Sequence, residues 1–155
     1  TTGIFIPFTM EANVNVHIPD YSIPATMLHE LAHQRGFMRE DEANFIAYLA
    51  GMCSDKVEIK YSSTMLALII SGNALYRQDP QLYFDIRDTY LEGVIKDLRA
   101  NNEYWAKYED TVVSTVSNKI NDTYLKANAQ SDGVKSYGRM VDLLLAKYRK
   151  DQEKN

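Results

Sequence analysis

Hydrophobic residues along this 155-residue chain follow two different periods. Over the first twenty positions the period is two. Ile4, Phe5, Ile6 and Phe8 form an apolar run broken by Pro7, and Val14, Val16 and Ile18 then alternate with Asn13, Asn15 and His17. Such alternation predicts a half-buried strand, because successive strand side chains point to opposite faces. After Ile23 the spacing changes to three and four, the mark of amphipathic helices. Helices are predicted over about 24–35 and 40–53, and a fully buried one over about 63–76, centred on Met65-Leu66-Ala67-Leu68-Ile69-Ile70. Asp79-Pro80 supplies an N-cap followed by proline at the first helical position. The helix it opens is expected to carry Tyr83, Ile86, Tyr90, Val94 and Leu98 on one face. Trp105, Tyr108, Val112, Val116 and Ile120 predict another long helix, and Ser131-Asp132-Gly133 a turn. Val134, Tyr137, Val141, Leu144, Leu145 and Tyr148 predict a last helix, with a solvated tail from Lys150. The expected fold is mainly α with a small N-terminal β element, in a single domain over 1–155.

Composition narrows the function classes. With 45% hydrophobic residues, a chain of this length buries about 68–70% of its unfolded surface and needs no staple. A net charge of −4, mixed in sign along the chain, offers no basic face for nucleic acid. One cysteine, Cys53, excludes an internal disulfide and is expected to pack as a small apolar residue on the second helix. The longest apolar stretch falls far short of the ~18 residues of a membrane span. No repeat or linker is visible. The start at Thr1-Thr2-Gly3, without methionine, is read as a trimmed or processed product.

The chemistry concentrates in His29-Glu30-Leu31-Ala32-His33, an HExxH pentapeptide holding two of the three histidines. On a helix, side chains four apart stand one turn above each other, so both imidazoles can reach one metal ion. Glu30 sits one step round, where it can contact a water on that metal. HExxH also arises by accident on surface helices, so its context decides. Here Pro24 lies near the helix start, Leu28, Leu31 and Ala32 give an apolar side, and Gly36 is placed to end the helix just past His33.

A catalytic zinc site takes three protein ligands and keeps one position open, so a third ligand is expected downstream. Glu40 and Glu42 compete. Glu40 shares a face with the small residues Ala43 and Ala47, and Asn44, one turn later, can orient a ligating histidine through its second nitrogen. Glu42 shares a face with Ile46, Leu49 and Cys53, which reads as core. The facing favours Glu40, with Glu42 as the alternative; the acid that is not the ligand simply complements a helix N-terminus.

HELAHQRG through EDEANFIAYLA, with IPFTMEANVNVHIPD before it and SYGRMVDLLLA near the end, resembles an uncharacterised family of membrane-anchored bacterial proteins with a zincin-like HExxH site. The ExxxN continuation is similar to the third-ligand helix of gluzincin metallopeptidases, although their Asp is Asn44 here and their third ligand usually lies further along. The HExxHxxG turn is similar to that of metzincins, but Arg39 stands where their third histidine would be. The resemblance implies a zincin-like α+β domain, one Zn²⁺ ion, a peptide or protein substrate, and a bacterial, membrane-associated parent protein with transmembrane helices ahead of this domain.

Other candidates follow from the chemistry a peptidase needs. Zincins place an edge strand just before the active helix, and substrate adds to it as a further strand; Ala12, Asn13, Val14, Asn15 and Val16, extending to His17, are the expected segment. Tyr137 and Arg139 in Ser136-Tyr137-Gly138-Arg139 are candidate donors to the oxyanion of a tetrahedral intermediate. His17 reads as a surface histidine, Gln34 as a residue lining the cleft, and Arg35 as a charge facing the helix C-terminus. Together these residues point to a zinc peptidase with Glu30 as general base. The alternatives are a zinc-binding sensor or scaffold that cleaves nothing, and a helical interaction module in which HExxH is coincidental.

Overall fold

The computed structural model describes residues 1–108 and 139–153. Within them the protein is mainly helical, with one two-stranded antiparallel sheet at the N-terminus. Strand β1 (Gly3–Ile6) pairs with β2 (Glu11–Val14), with Gly3 opposite Val14 and Ile6 opposite Glu11. Gly3, Phe5, Ala12 and Val14 are half-buried, whereas Ile4, Glu11 and Asn13 are exposed. This is the alternation a one-sided sheet requires. The strand expected over Ala12–His17 ends at Val14, and Val16 is 66% exposed. Asn15 stops it: its side-chain oxygen accepts from the backbone N–H of His17 at 2.9 Å, a local turn that competes with the ladder. Ile18, 3% exposed, then anchors the chain beneath the hairpin.

A short 3-10 turn (Asp20–Ser22) leads into α1 (Ile23–Gln34), with Pro24 in its first turn. The helix ends as its glycine predicts. Gly36 adopts φ 97°, its N–H donates to the His33 carbonyl at 2.9 Å, and Phe37 N–H donates to the Ala32 carbonyl at 3.1 Å. These paired bonds form the left-handed helix stop described for glycine. The chain reverses and α2 (Glu40–Met52) begins, with Glu40, Asp41 and Glu42 in the turn where negative charge complements the helix dipole.

The core is a seam of small residues between α1, α2 and α3 (Val57–Gln78). Ala25 and Ala32 of α1, Ala43, Ala47 and Gly51 of α2, and Ser62 and Ser63 of α3 are buried. At Gly51 an added Cβ would fall 1.8 Å from Ser63 Oγ and 3.3 Å from Leu28 Cδ1. The buried hydroxyls have partners. Ser62 accepts from the Ala25 amide at 2.9 Å, satisfying a donor that the first turn of α1 leaves free, and Ser63 reaches the Ala47 carbonyl at 3.5 Å. Close helix approach lets α2 carry a carboxylate against α1.

Elsewhere the structure corrects the expectations. Helix α3 starts earlier than predicted and is not buried throughout. Ser62, Ser63 and Met65 are buried, but Leu66 to Ile70 are half-buried, since one face of α3 meets α1 and α2 and the other meets α4 (Pro80–Arg87). Cys53 is exposed rather than packed, because the buried face of α2 is the small-residue face and Cys53 lies just past the helix end. Asp79 caps α4 by accepting from Leu82 N–H at 3.0 Å. The helix it opens stops at Arg87, where Thr89 Oγ1 donates to the Ile86 carbonyl at 2.6 Å and Tyr90 N–H to the Arg87 carbonyl at 3.0 Å. Val94, Leu98 and Trp105 therefore belong to a separate α5 (Glu92–Ala106). Helix α6 (Arg139–Gln152) runs into the expected tail as far as Gln152. It is seated by Met140, 0% exposed, against α2 and α3, which leaves Leu145 and Tyr148 exposed. Val112, Val116, Ile120, the Ser131-Asp132-Gly133 turn, Val134 and Tyr137 lie outside the described residues. No helix among the described residues is long and apolar enough to cross a membrane.

The seam leaves no room for a methyl group at Gly51. Gly51→Ala is expected to destabilise the fold by about 1–3 kcal/mol, the range for overpacking a well-filled core. Equilibrium urea unfolding measures it.

Candidate metal centre

Helix α1 brings His29 and His33 to one face, their ring centroids 4.6 Å apart. The Gly36 reversal then delivers α2 so that its first residue, Glu40, meets both rings. His29 Nε2 lies 3.2 Å from Glu40 Oε2, and His33 Nε2 lies 3.5 Å from Glu40 Oε1. The three donor atoms lie within 4.8 Å of one another. Four-coordinate zinc, with bonds of ~2.0–2.1 Å, separates its nitrogen and oxygen ligands by roughly 3.3 Å. The observed spacings match that separation.

The hydrogen bonds behind the rings sharpen the point. His29 Nδ1 donates to Asn44 Oδ1 at 2.9 Å, and His33 Nδ1 donates to the Phe37 carbonyl at 2.7 Å. A neutral imidazole carries one N–H, and here both are spent on oxygen acceptors. Each Nε2 therefore presents a lone pair to a carboxylate oxygen. Acceptors facing acceptors repel unless a cation lies between them, either protons on the rings or a metal ion. Nitrogen and carboxylate donors of this kind fit a zinc-type ion.

Titration follows the same arrangement. When the rings also carry protons on Nε2, burial pushes the Glu40 carboxyl upward, but the hydrogen bonds His29 and His33 then donate outweigh it and hold the group down at about 2. For His33, burial disfavours the charged form, yet Glu40 and the Phe37 carbonyl outweigh it and raise the imidazole above its ordinary value. Glu30 is 4% exposed, and burial raises its carboxyl despite the opposing pull of His29 and His33. A buried carboxylate raised in this way is a better proton acceptor than an exposed one.

The hairpin covers this carboxylate. A Cβ on Gly3 would sit 2.4 Å from Glu30 Oε1, so β1 crosses Glu30 where only glycine fits. Two residues on, Phe5 stacks on His33 at 6.5 Å. Sheet register decides which backbone groups are free. Asn15 N–H donates to the Thr2 carbonyl, so the Thr2, Ile4 and Ile6 pairs are bonded across the hairpin and Gly3 and Phe5 turn their N–H and C=O outward. The Gly3 carbonyl accepts from Thr1 Oγ1 at 2.6 Å.

Of the residues singled out in the sequence, His29, Glu30, His33, Glu40 and Asn44 come together. Glu42 does not. Its carboxylate is 45% exposed and 3.6 Å from Arg39 Nε, while Arg39 also pairs with the buried Asp41 at 3.0 Å. Within the Ala12–Val16 segment, Ala12, Asn13 and Val14 belong to β2, which packs on α1 as β1 does. Gly3 of β1 lies against Glu30, and Phe5 of β1 stacks on His33. Asn13 is exposed, and Asn15 and Val16 fall beyond the strand. Gln34 donates instead to the Met10 carbonyl in the hairpin turn at 2.6 Å. Arg35, His17 and Arg139 are exposed, and Tyr137 lies outside the described residues. Sequence reasoning missed Gly3 and Phe5, whose role depends on pairing with β2. It also missed Phe37, although a carbonyl turned back by Gly36 was a usable signal.

Residues 1–145 match the family described as Protein of unknown function (DUF3810), and the chain belongs to that family. No curated protein and no solved structure matches the chain.

In metal-free protein the cluster makes stability depend on pH in two directions. Glu40, lowered in the folded state, contributes stability above the unfolded carboxyl value of ~4.3 that is lost as pH falls through about 2. His33, raised in the folded state, contributes stability below the unfolded value of ~6.5 that is lost as pH rises through its folded value. Urea midpoints measured from pH 2 to 9 should fall at both ends, and Glu40→Gln should flatten both limbs.

Proposed function

We propose that this DUF3810 member is a zinc-dependent peptidase of zincin-like architecture. The observation that supports it most directly is the convergence of two imidazole lone pairs and one carboxylate beside a second, buried carboxylate. His29 Nε2, His33 Nε2 and the Glu40 carboxylate would hold the ion, and Asn44 and the Phe37 carbonyl keep both rings in the ligating tautomer. When bound, zinc supplies a Lewis acid and lowers the pKa of a coordinated water toward ~7.

Everything else belongs to the chain. Glu30 takes a proton from the attacking water on its carboxylate, a transfer its raised affinity for protons favours, and returns it to the leaving amine. The peptide lies along the free edge of β1, pairing with the outward N–H and C=O of Gly3 and Phe5 and displacing the Thr1 hydroxyl from Gly3. Strand addition at that edge carries the scissile bond over Glu30 and His33. The bacterial, membrane-anchored setting rests on the sequence resemblance alone.

Purified protein should contain one zinc per chain. Glu40→Ala should lose it and Glu42→Ala should keep it, as read by elemental analysis. Glu30→Gln should retain zinc while hydrolysis of a peptide library falls by ~10² or more. Gly3→Val should behave likewise, since its side chain lands on Glu30. Stoichiometric zinc with no hydrolysis by wild type would favour a sensor or scaffold. Absence of zinc would leave a helical interaction module.

A further inference from the structure

Helices α3, α4 and α5 line an open pocket of about 270 Å³. None of its lining residues comes from β1, β2, α1 or α2, so it is separate from the metal centre. Arg87 of α4 and Arg99 of α5 both line it, with Asn73 of α3 and Asn101 and Asn102 of α5. Tyr90, just past α4, completes the polar wall; it lies close enough to Arg87 for the guanidinium to act on its phenol. No aspartate or glutamate lines the pocket. Among the described residues, neither Arg87 nor Arg99 forms an ion pair.

Two arginines line one pocket with no acidic side chain among its lining residues, which makes its wall positive. Arg99 is exposed and Arg87 half-buried, so water screens the two charges from each other. An oxyanion held between them gains charge-assisted hydrogen bonds from both. Guanidinium presents a planar fork of donors that matches phosphate oxygens two at a time, and three carboxamides can supply further N–H groups. Charge selects among oxyanions: two guanidinium groups are balanced by a dianion, as in a phosphate monoester. Volume limits the rest of the ligand, because 270 Å³ falls below the usual range of ~300–1,000 Å³ for drug-sized ligands.

We propose that this pocket binds a phosphate group, held between Arg87 and Arg99 with Asn101 and Asn102 beside them. The site is independent of the zinc reading, and the group can come from a soluble phosphate ester or from a lipid headgroup.

Inorganic phosphate titrated into ¹⁵N-labelled protein at constant ionic strength should shift the Arg87 and Arg99 Nε–H signals saturably, at millimolar concentration or below. Arg87→Gln and Arg99→Gln should each weaken binding about tenfold while the thermal midpoint stays within a few degrees of wild type. Either of two arms then names the source: competition by glycerol phosphate indicates a soluble ester, and co-sedimentation with phosphatidic-acid but not phosphatidylcholine vesicles indicates a headgroup. A linear, non-saturating response, unchanged binding in both variants, or shifts confined to His29 and His33 would overturn the proposal.

Discussion

Two hydrogen bonds on the far side of the histidine rings govern what their near side can do. Asn44 and the Phe37 carbonyl each take the one N–H that a neutral imidazole possesses, leaving both Nε2 lone pairs aimed at the Glu40 carboxylate. The rings cannot relieve the repulsion by exchanging tautomers without breaking a partly buried hydrogen bond to Asn44 or to the Phe37 carbonyl. Protons can occupy the gap. Under the proposed zinc reading a divalent cation would satisfy all three groups at once, its place set by groups that would not themselves touch it.

Backbone geometry sets up that constraint. Gly36 reverses the chain immediately after His33, which puts the Phe37 carbonyl behind the second ring and the start of α2 in front of both. Ala43, Ala47 and Gly51 then let α2 approach α1 and α3 closely enough for Glu40 to reach the imidazoles. Arg39 completes the selection by pairing with Asp41 and Glu42, drawing Glu42 outward while Glu40 turns in. The small-residue seam and the acidic turn act as one device. Bulk anywhere along it would push the carboxylate out of range.

How much of this was legible in the residues depends on whether the signal was local. HExxH, the glycine stop and the small face of α2 are local, so α1, α2, Glu40 and Asn44 could be read from spacing alone. Both strands pack on α1. Which backbone groups of the hairpin stay free is a tertiary fact carried by its register, so the alternation over Ala12–Val16 alone does not reveal the outward N–H and C=O groups of Gly3 and Phe5. Periodicity also overran the break between α4 and α5, because apolar spacing persists through Tyr90 while side-chain and 3-10-type bonds at Thr89 and Tyr90 end the helix. Hydrophobicity alone predicts burial for Cys53 and the Met65–Ile70 run, yet burial depends on which neighbours arrive: Cys53 lies past the packed face of α2, and Leu66 to Ile70 are only half-covered.

The central claim is that the front of the two imidazoles and the Glu40 carboxylate are arranged for one cation. Zinc-edge anomalous diffraction from crystals of the zinc-loaded protein tests it most directly. One peak should appear within ~2.0–2.2 Å of His29 Nε2, His33 Nε2 and a Glu40 oxygen, with Asn44 and Phe37 still bonded to the ring Nδ1 atoms. A peak bound through Nδ1, a peak elsewhere with the three groups unliganded, or no peak at all would contradict the account.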